Sequence, residues 1–202
     1  MTQLELCNVA LGHLGQARIT ALAEPNASAR ACELHYLPVL KEVLRSHRWN
    51  FAVVRVEVEA DEDAPVFGWS KQYSLPEDCL RVLEVNDSEA GDWISEEWVI
   101  EGRKLLTNAA ELRLIYLRDL GDDEALTDPL FAQAFALKLA VALSETIRGS
   151  TGKTADLLTA YQNVTAPLAR RVDANEGRRR KGMLPLNSLS LRARWGGGIA
   201  RP

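Results

Sequence analysis

The stretch Gly149-Ser150-Thr151-Gly152-Lys153-Thr154 comes closest to a recognisable piece of chemistry, the end of a phosphate-binding loop. In such a loop, glycine-rich backbone amides and a lysine cradle phosphate oxygens. The full pattern needs a glycine five residues before Gly152, where Ile147 stands, and a strand leading in, where the pattern here is helical. The stretch therefore reads as an interhelical turn. Cys32 and His35 have half of a zinc-site spacing with no second half. Cys32 is expected to pack as a small apolar residue and His35 to face outward. His13, His35 and His47 have no serine or cysteine nearby in a nucleophile-elbow context, so no catalytic residue, metal site or cofactor is assigned. Four adjacent cations, Arg178-Arg179-Arg180-Lys181, could attract a phosphate or an acidic partner. The same run could equally be a solubilising helix end that complements the negative helix terminus.

These residues are unevenly spread over 202 positions with 24 basic and 28 acidic side chains. Nine of the basic and two of the acidic residues lie between Leu168 and Pro202, leaving 15 and 26 before them. An acidic body with a basic tail suggests two separate tasks, and the total of -4 conceals it. With 47% apolar residues, a sizeable core can form. Three widely spaced cysteines, Cys7, Cys32 and Cys79, suit a reducing compartment. Residues 1–12 show no basic start followed by an apolar run, so no signal peptide is expected.

The strongest element is Thr127 to Gly149. Thr127 or Asp128 can cap a helix start, Pro129 fits its first turn, and Gly149 can close it. Leu130, Phe131, Ala134, Phe135, Leu137, Leu139, Val141, Leu143 and Ile147 cover most of its circumference, which predicts burial on nearly all sides. Gln133, Lys138, Ser144 and Glu145 interrupt it, so a core helix is expected here and no membrane span.

Further helices are predicted at 2–14, with Leu4, Val9 and Leu11 inward, and at 26–47, capped by Asn26 or Ser28. In the second, Ala27, Ala31, Leu34, Leu37, Leu40 and Leu44 should face the core, and Pro38 should give a kink near Leu34 or a locally broken hydrogen-bond ladder. The chain then changes to period two. Residues 50–118 are expected to form one small inserted antiparallel sheet, with an acidic loop at Asp61-Glu62-Asp63-Ala64-Pro65 and a hairpin at Glu101-Gly102-Arg103. A last helix is predicted at 154–173, bent by Pro167. The expected class is thus α+β, a mainly helical bundle around the 128–148 helix with an inserted sheet. Residues 1–182 form the domain and 183–202 an extended arm.

With this order in place, several stretches resemble the head-to-tail adaptor (connector) family of tailed bacteriophages, the group that includes tail tubular protein A of short-tailed phages. The residues concerned are Asn8-Val9-Ala10-Leu11-Gly12-His13-Leu14-Gly15, Ile19-Thr20-Ala21-Leu22, Ala29-Arg30-Ala31-Cys32, Val43-Leu44-Arg45-Ser46-His47-Arg48-Trp49-Asn50-Phe51 and Tyr73-Ser74-Leu75-Pro76-Glu77-Asp78-Cys79-Leu80-Arg81-Val82. The resemblance spans residues 1 to about 170 and leaves the arm uncovered. It implies a non-enzymatic structural protein of the virion head–tail junction, assembled in the host cytoplasm as a ring of twelve copies. Such a ring joins the portal protein to the tail tube or nozzle protein. Genomic double-stranded DNA crosses it during packaging and ejection without sequence-specific binding. In that setting Leu186, Leu189, Leu191, Arg192, Arg194 and Trp195 are the expected portal contacts. Two rival expectations are a DNA-binding accessory protein using Arg170 to Lys181 and a small enzyme with a site assembled only in the fold.

Overall fold

A computed structural model describes residues 1–87, 97–110, 112–121, 128–148 and 152–176. Helix α1 (Gln3–His13) opens with a capping box in which Thr2 and Glu5 each accept the other's backbone N–H. Helix α2 (Ala27–Arg45) is capped by Asn26, whose side chain accepts the Ala29 amide at 2.7 Å. The chain then makes one 3-10 turn, Asn50–Ala52, and enters strands β1 (Val53–Val58), β2 (Lys71–Ser74), β3 (Cys79–Asp87), β4 (Trp98–Glu101), β5 (Lys104–Thr107) and β6 (Leu112–Arg118). Helices α3 (Pro129–Arg148), α4 (Gly152–Ala160) and α5 (Ala166–Glu176) follow, with a π-helical segment, Tyr161–Thr165, between the last two. The class is mixed α and β.

The single inserted sheet expected from the sequence is corrected to two. Strands β1, β6 and β3 form one antiparallel sheet in that order, and β2, β5 and β4 form another. Alternation reports which strands are half-buried but carries no information on their partners. The first sheet serves two cores. Its residue Leu117, with Val53, Leu80 and Leu83 packed alongside, joins the helical core. Leu112, Leu114, Tyr116 and Val85 meet Tyr73 and Leu105 of the second sheet. Gly102 turns the β4–β5 hairpin with φ +59, as the first position of a tight two-residue loop requires.

Two helical faces are also corrected. Val9, Leu34 and Leu37 are exposed, and Ala27 with them, while Leu6, Cys7, Ala10 and Leu14 of the first helical segment and Ala29, Cys32, Tyr36, Val39 and Val43 of α2 are buried. Leu11 of α1 and Ala31, Leu40 and Leu44 of α2 are buried as expected, so the buried stripe is shifted from the expected one and shares part of it. Pro38 leaves α2 continuous from Ala27 to Arg45 because the proline is exposed, so water can reach the Leu34 carbonyl it orphans. The last predicted helix runs from Gly152 to Glu176, and its irregularity precedes Pro167. The Ala166 amide donates to Tyr161 O, a five-residue step. That wider turn relieves the clash between the Pro167 ring and the carbonyl four residues earlier.

Asp128 caps α3 by accepting the Phe131 amide at 2.6 Å. Phe131, Ala134, Phe135, Leu139 and Leu143 of this helix are fully or almost fully buried, and α1, α2, α4 and α5 all contact it. Its residues 129–147 are long and apolar enough to cross a membrane by composition, yet much of that surface is covered by the other helices.

Candidate assembly surfaces

Three places in the fold bring polar or aromatic side chains together. The first is the corner where α2 gives way to β1. Trp49, 1% exposed, donates its indole N–H to Val43 O at 3.0 Å and meets the Phe131 ring edge-on at 4.8 Å. Phe51 adds a second contact to Phe131 at 5.0 Å. Between these two rings Asn50 points toward α5, where the buried Asp173 carboxylate accepts the Asn50 amide at 2.9 Å and lies 3.0 Å from His47 Nε2. Arg170 donates to Ser46 Oγ at 3.1 Å, although its Nε is buried without a partner. The Ser46 hydroxyl itself donates to Val43 O at 2.7 Å. Because that hydroxyl is turned into the helix end, Ser46, His47 and Asp173 form no nucleophile relay; they clamp the first half of the chain to the last helix.

The second place is the turn between the two sheets. Cys79 N–H donates to Pro76 O at 2.9 Å, and the Arg103 guanidinium, from the β4–β5 hairpin, donates to the carbonyls of Pro76, Glu77 and Cys79. Tyr116 donates its hydroxyl to Asp78 Oδ1 at 2.9 Å. Burial, followed by the Asp78 carboxylate, pushes the Tyr116 phenol up to about 12. Tyr-Ser-Leu-Pro-Glu-Asp-Cys is therefore a seam between sheets.

The third place is the loop from Glu59 to Ser70. Its base is braced: Asp61 N–H donates to Gln72 O at 2.9 Å, the Asp61 carboxylate accepts from Ser74 N and Oγ and pairs with Lys104, and Asn108 Oδ1 accepts from Ser70. The Lys104 ammonium, with help from Ser74, holds the Asp61 carboxyl below its ordinary range. Above that base Val66 and Phe67 are 96% and 85% exposed. Pro65, Val66, Phe67, Gly68 and Trp69, with Gln72, Glu101, Lys104 and Leu106, line a groove of about 340 Å3. This apolar tip was missed in the sequence, where Asp61 to Pro65 reads only as an acidic loop. The available signal was three large apolar residues at 66, 67 and 69, of no helical or strand period, between Pro65 and a following polar strand.

Other candidates are accounted for by packing. Cys7 and Cys32 are both fully buried and hydrogen-bonded to each other; that bond, then burial, raises the Cys7 thiol. His35 is half-buried and lies 2.7 Å from Thr146 Oγ1. Gly152 starts α4 and Thr154 bonds Ser144 at 2.8 Å, while Gly149, Ser150 and Thr151 lie outside the described residues. Among the described residues, no three His, Cys, Asp or Glu side chains gather as a metal site. Arg178, Arg179, Arg180 and Lys181, and also Leu186, Leu189, Leu191, Arg192, Arg194 and Trp195, all lie outside the described residues. No protein-family model matches this chain, and no curated protein sequence does.

Proposed function

We propose that the chain is a structural head-to-tail adaptor of a tailed phage, a non-enzymatic subunit of a twelve-fold ring between the portal and the tail tube or nozzle protein. The observation that supports this reading is the corner at Trp49-Asn50-Phe51. It joins a pair of N-terminal helices, two small sheets and a C-terminal helical segment in the order the resemblance implies, with Asp173 closing the unit. In this reading the helices are a bundle wrapped around α3. Residues 183–202 form the arm, with Leu186, Leu189, Leu191, Arg192, Arg194 and Trp195 seated in portal grooves. An acidic body lets genomic duplex slide past without adhering.

The test is the mass of the purified chain alone and mixed with the cognate portal ring, with and without residues 183–202. Joining of the intact chain to the portal as a ring, and failure of the truncated chain, are the expected results. A chain that stays monomeric, ignores the portal and binds duplex DNA with steep salt dependence overturns this reading in favour of an accessory DNA-binding protein.

A further inference from the structure

Among the large apolar residues described, the two at the tip of the braced loop are the most exposed. Val66 and Phe67 stand almost fully in water, although the hydrogen bonds at the loop base hold them in place. An apolar tip of this kind costs free energy in a free subunit and is best explained by an occupant. Its flanks identify the chemistry. Glu101 in the groove wall and Glu62 and Asp63, earlier in the same loop, are exposed and have no cationic partner among the described residues, while the groove's Lys104 is already engaged by Asp61. The groove therefore calls for a segment in which cations adjoin apolar side chains.

The chain contains such a segment. Residues 177–202 carry seven basic residues and no acidic one. Within them Arg178-Arg179-Arg180-Lys181 is followed at once by Gly182-Met183-Leu184. Cations then apolar residues in the arm match acids then apolar residues in the loop, where Glu62 and Asp63 precede Val66 and Phe67.

We propose that the acidic, apolar loop tip of one subunit is the docking surface for the Arg178–Leu184 segment of a second copy of this chain. This rests on the adaptor reading, because a closed ring needs two different patches of one subunit to meet. It leaves Leu186 to Trp195 free for the portal.

Charge reversal in the full chain tests it, read as the concentration dependence of assembly by mass photometry. Glu62→Lys with Asp63→Lys, and separately Arg178→Glu with Arg179→Glu and Arg180→Glu, should each weaken association at least tenfold. The two sets combined should restore it to within about threefold, a rescue that a folding defect cannot give. Phe67→Ser should weaken association with the charges intact. A fluorescent peptide of residues 177–187 should bind the arm-reversed chain and lose at least tenfold when Glu62 and Asp63 are also reversed. Arm-dependent association that never closes into a ring leaves the docking contact standing and removes the ring. A ring indifferent to both reversals removes the contact and leaves the ring. Peptide binding by the arm-reversed chain, together with an unaltered chain that stays monomeric, shows the arm closing on its own tip and overturns the assignment to a second copy.

Discussion

Asp173 joins the Trp49 corner to α5, since one buried carboxylate serves the Asn50 amide and His47 together. Asp173→Ala should lower unfolding stability by about 2–3 kcal/mol in urea titration, because a charged acceptor is lost and a backbone donor is left unpaired. Asp173→Asn keeps an oxygen toward Asn50 and should lose less than half as much. Equal losses for the two would show that charge, and not the acceptor, matters here. Tyr116 makes a second residue-level test, through pH. Its phenol titrates near 10 in the unfolded chain and about 12 when folded, so the folded state resists ionisation. That stabilisation is fully present below pH 10 and is lost as pH rises toward 12, by up to about 2–3 kcal/mol at roughly 1.4 kcal/mol per unit. Tyrosinate absorbance during urea unfolding at stepped pH would show the decline, and Tyr116→Phe should flatten it.

At the scale of elements, the caps were the most legible part of the sequence, and each carries a definite share of stability. Asn26 accepts the Ala29 amide and donates to Glu24, whose carboxylate also gathers the Thr20 and Ala21 amides and is lowered chiefly by the Thr20 hydroxyl. Asn26→Ala should cost about 1 kcal/mol in urea unfolding, while Asn26→Asp or Ser should stay within about 0.5 kcal/mol of the parent. A null result for Ala would mean that tertiary packing alone sets where α2 begins. Asp128 and Pro129 likewise mark the start of α3 in residues whose local chemistry admits little else. Burial was less legible than ends. Leu34 and Leu37 follow helical spacing yet face out, while Cys32 and Tyr36 face in, because spacing defines a stripe only up to rotation. Strand partners were legible only at the hairpin turned by Gly102: the split into two sheets depends on contacts such as Tyr73 hydroxyl to Ala109 O, between residues 36 apart. Of the candidate site, the basic run could be seen in the sequence, whereas the tip at Val66 and Phe67 could not, since a loop has no period to read.

For the molecule as a whole, the sheet formed by β1, β6 and β3 decides whether the chain unfolds in one step or two. Successive residues of β6 point to opposite cores: Leu117 enters the helical one, and Leu114 and Tyr116 enter the one between the sheets. Neither core can open without stripping one face of the same strand. Arg103 ties the outer sheet to the Pro76–Cys79 turn, and the Asp78–Tyr116 bond ties that turn to β6. Leu114, 2% exposed, lies on the side away from the helices, so Leu114→Ala creates a cavity only between the sheets, at a cost of about 2–5 kcal/mol. If the two cores form one cooperative unit, amide exchange of α2 and of β5 should lose the same amount of protection free energy in this variant. Loss confined to β5 would make the outer sheet a separately opening module. The distinction bears on assembly, because the proposed docking tip springs from the outer sheet through Asp61, Ser74 and Lys104. In a cooperative unit, binding at the tip stabilises the helical core 1:1; in a modular one, the gain stops at the outer sheet.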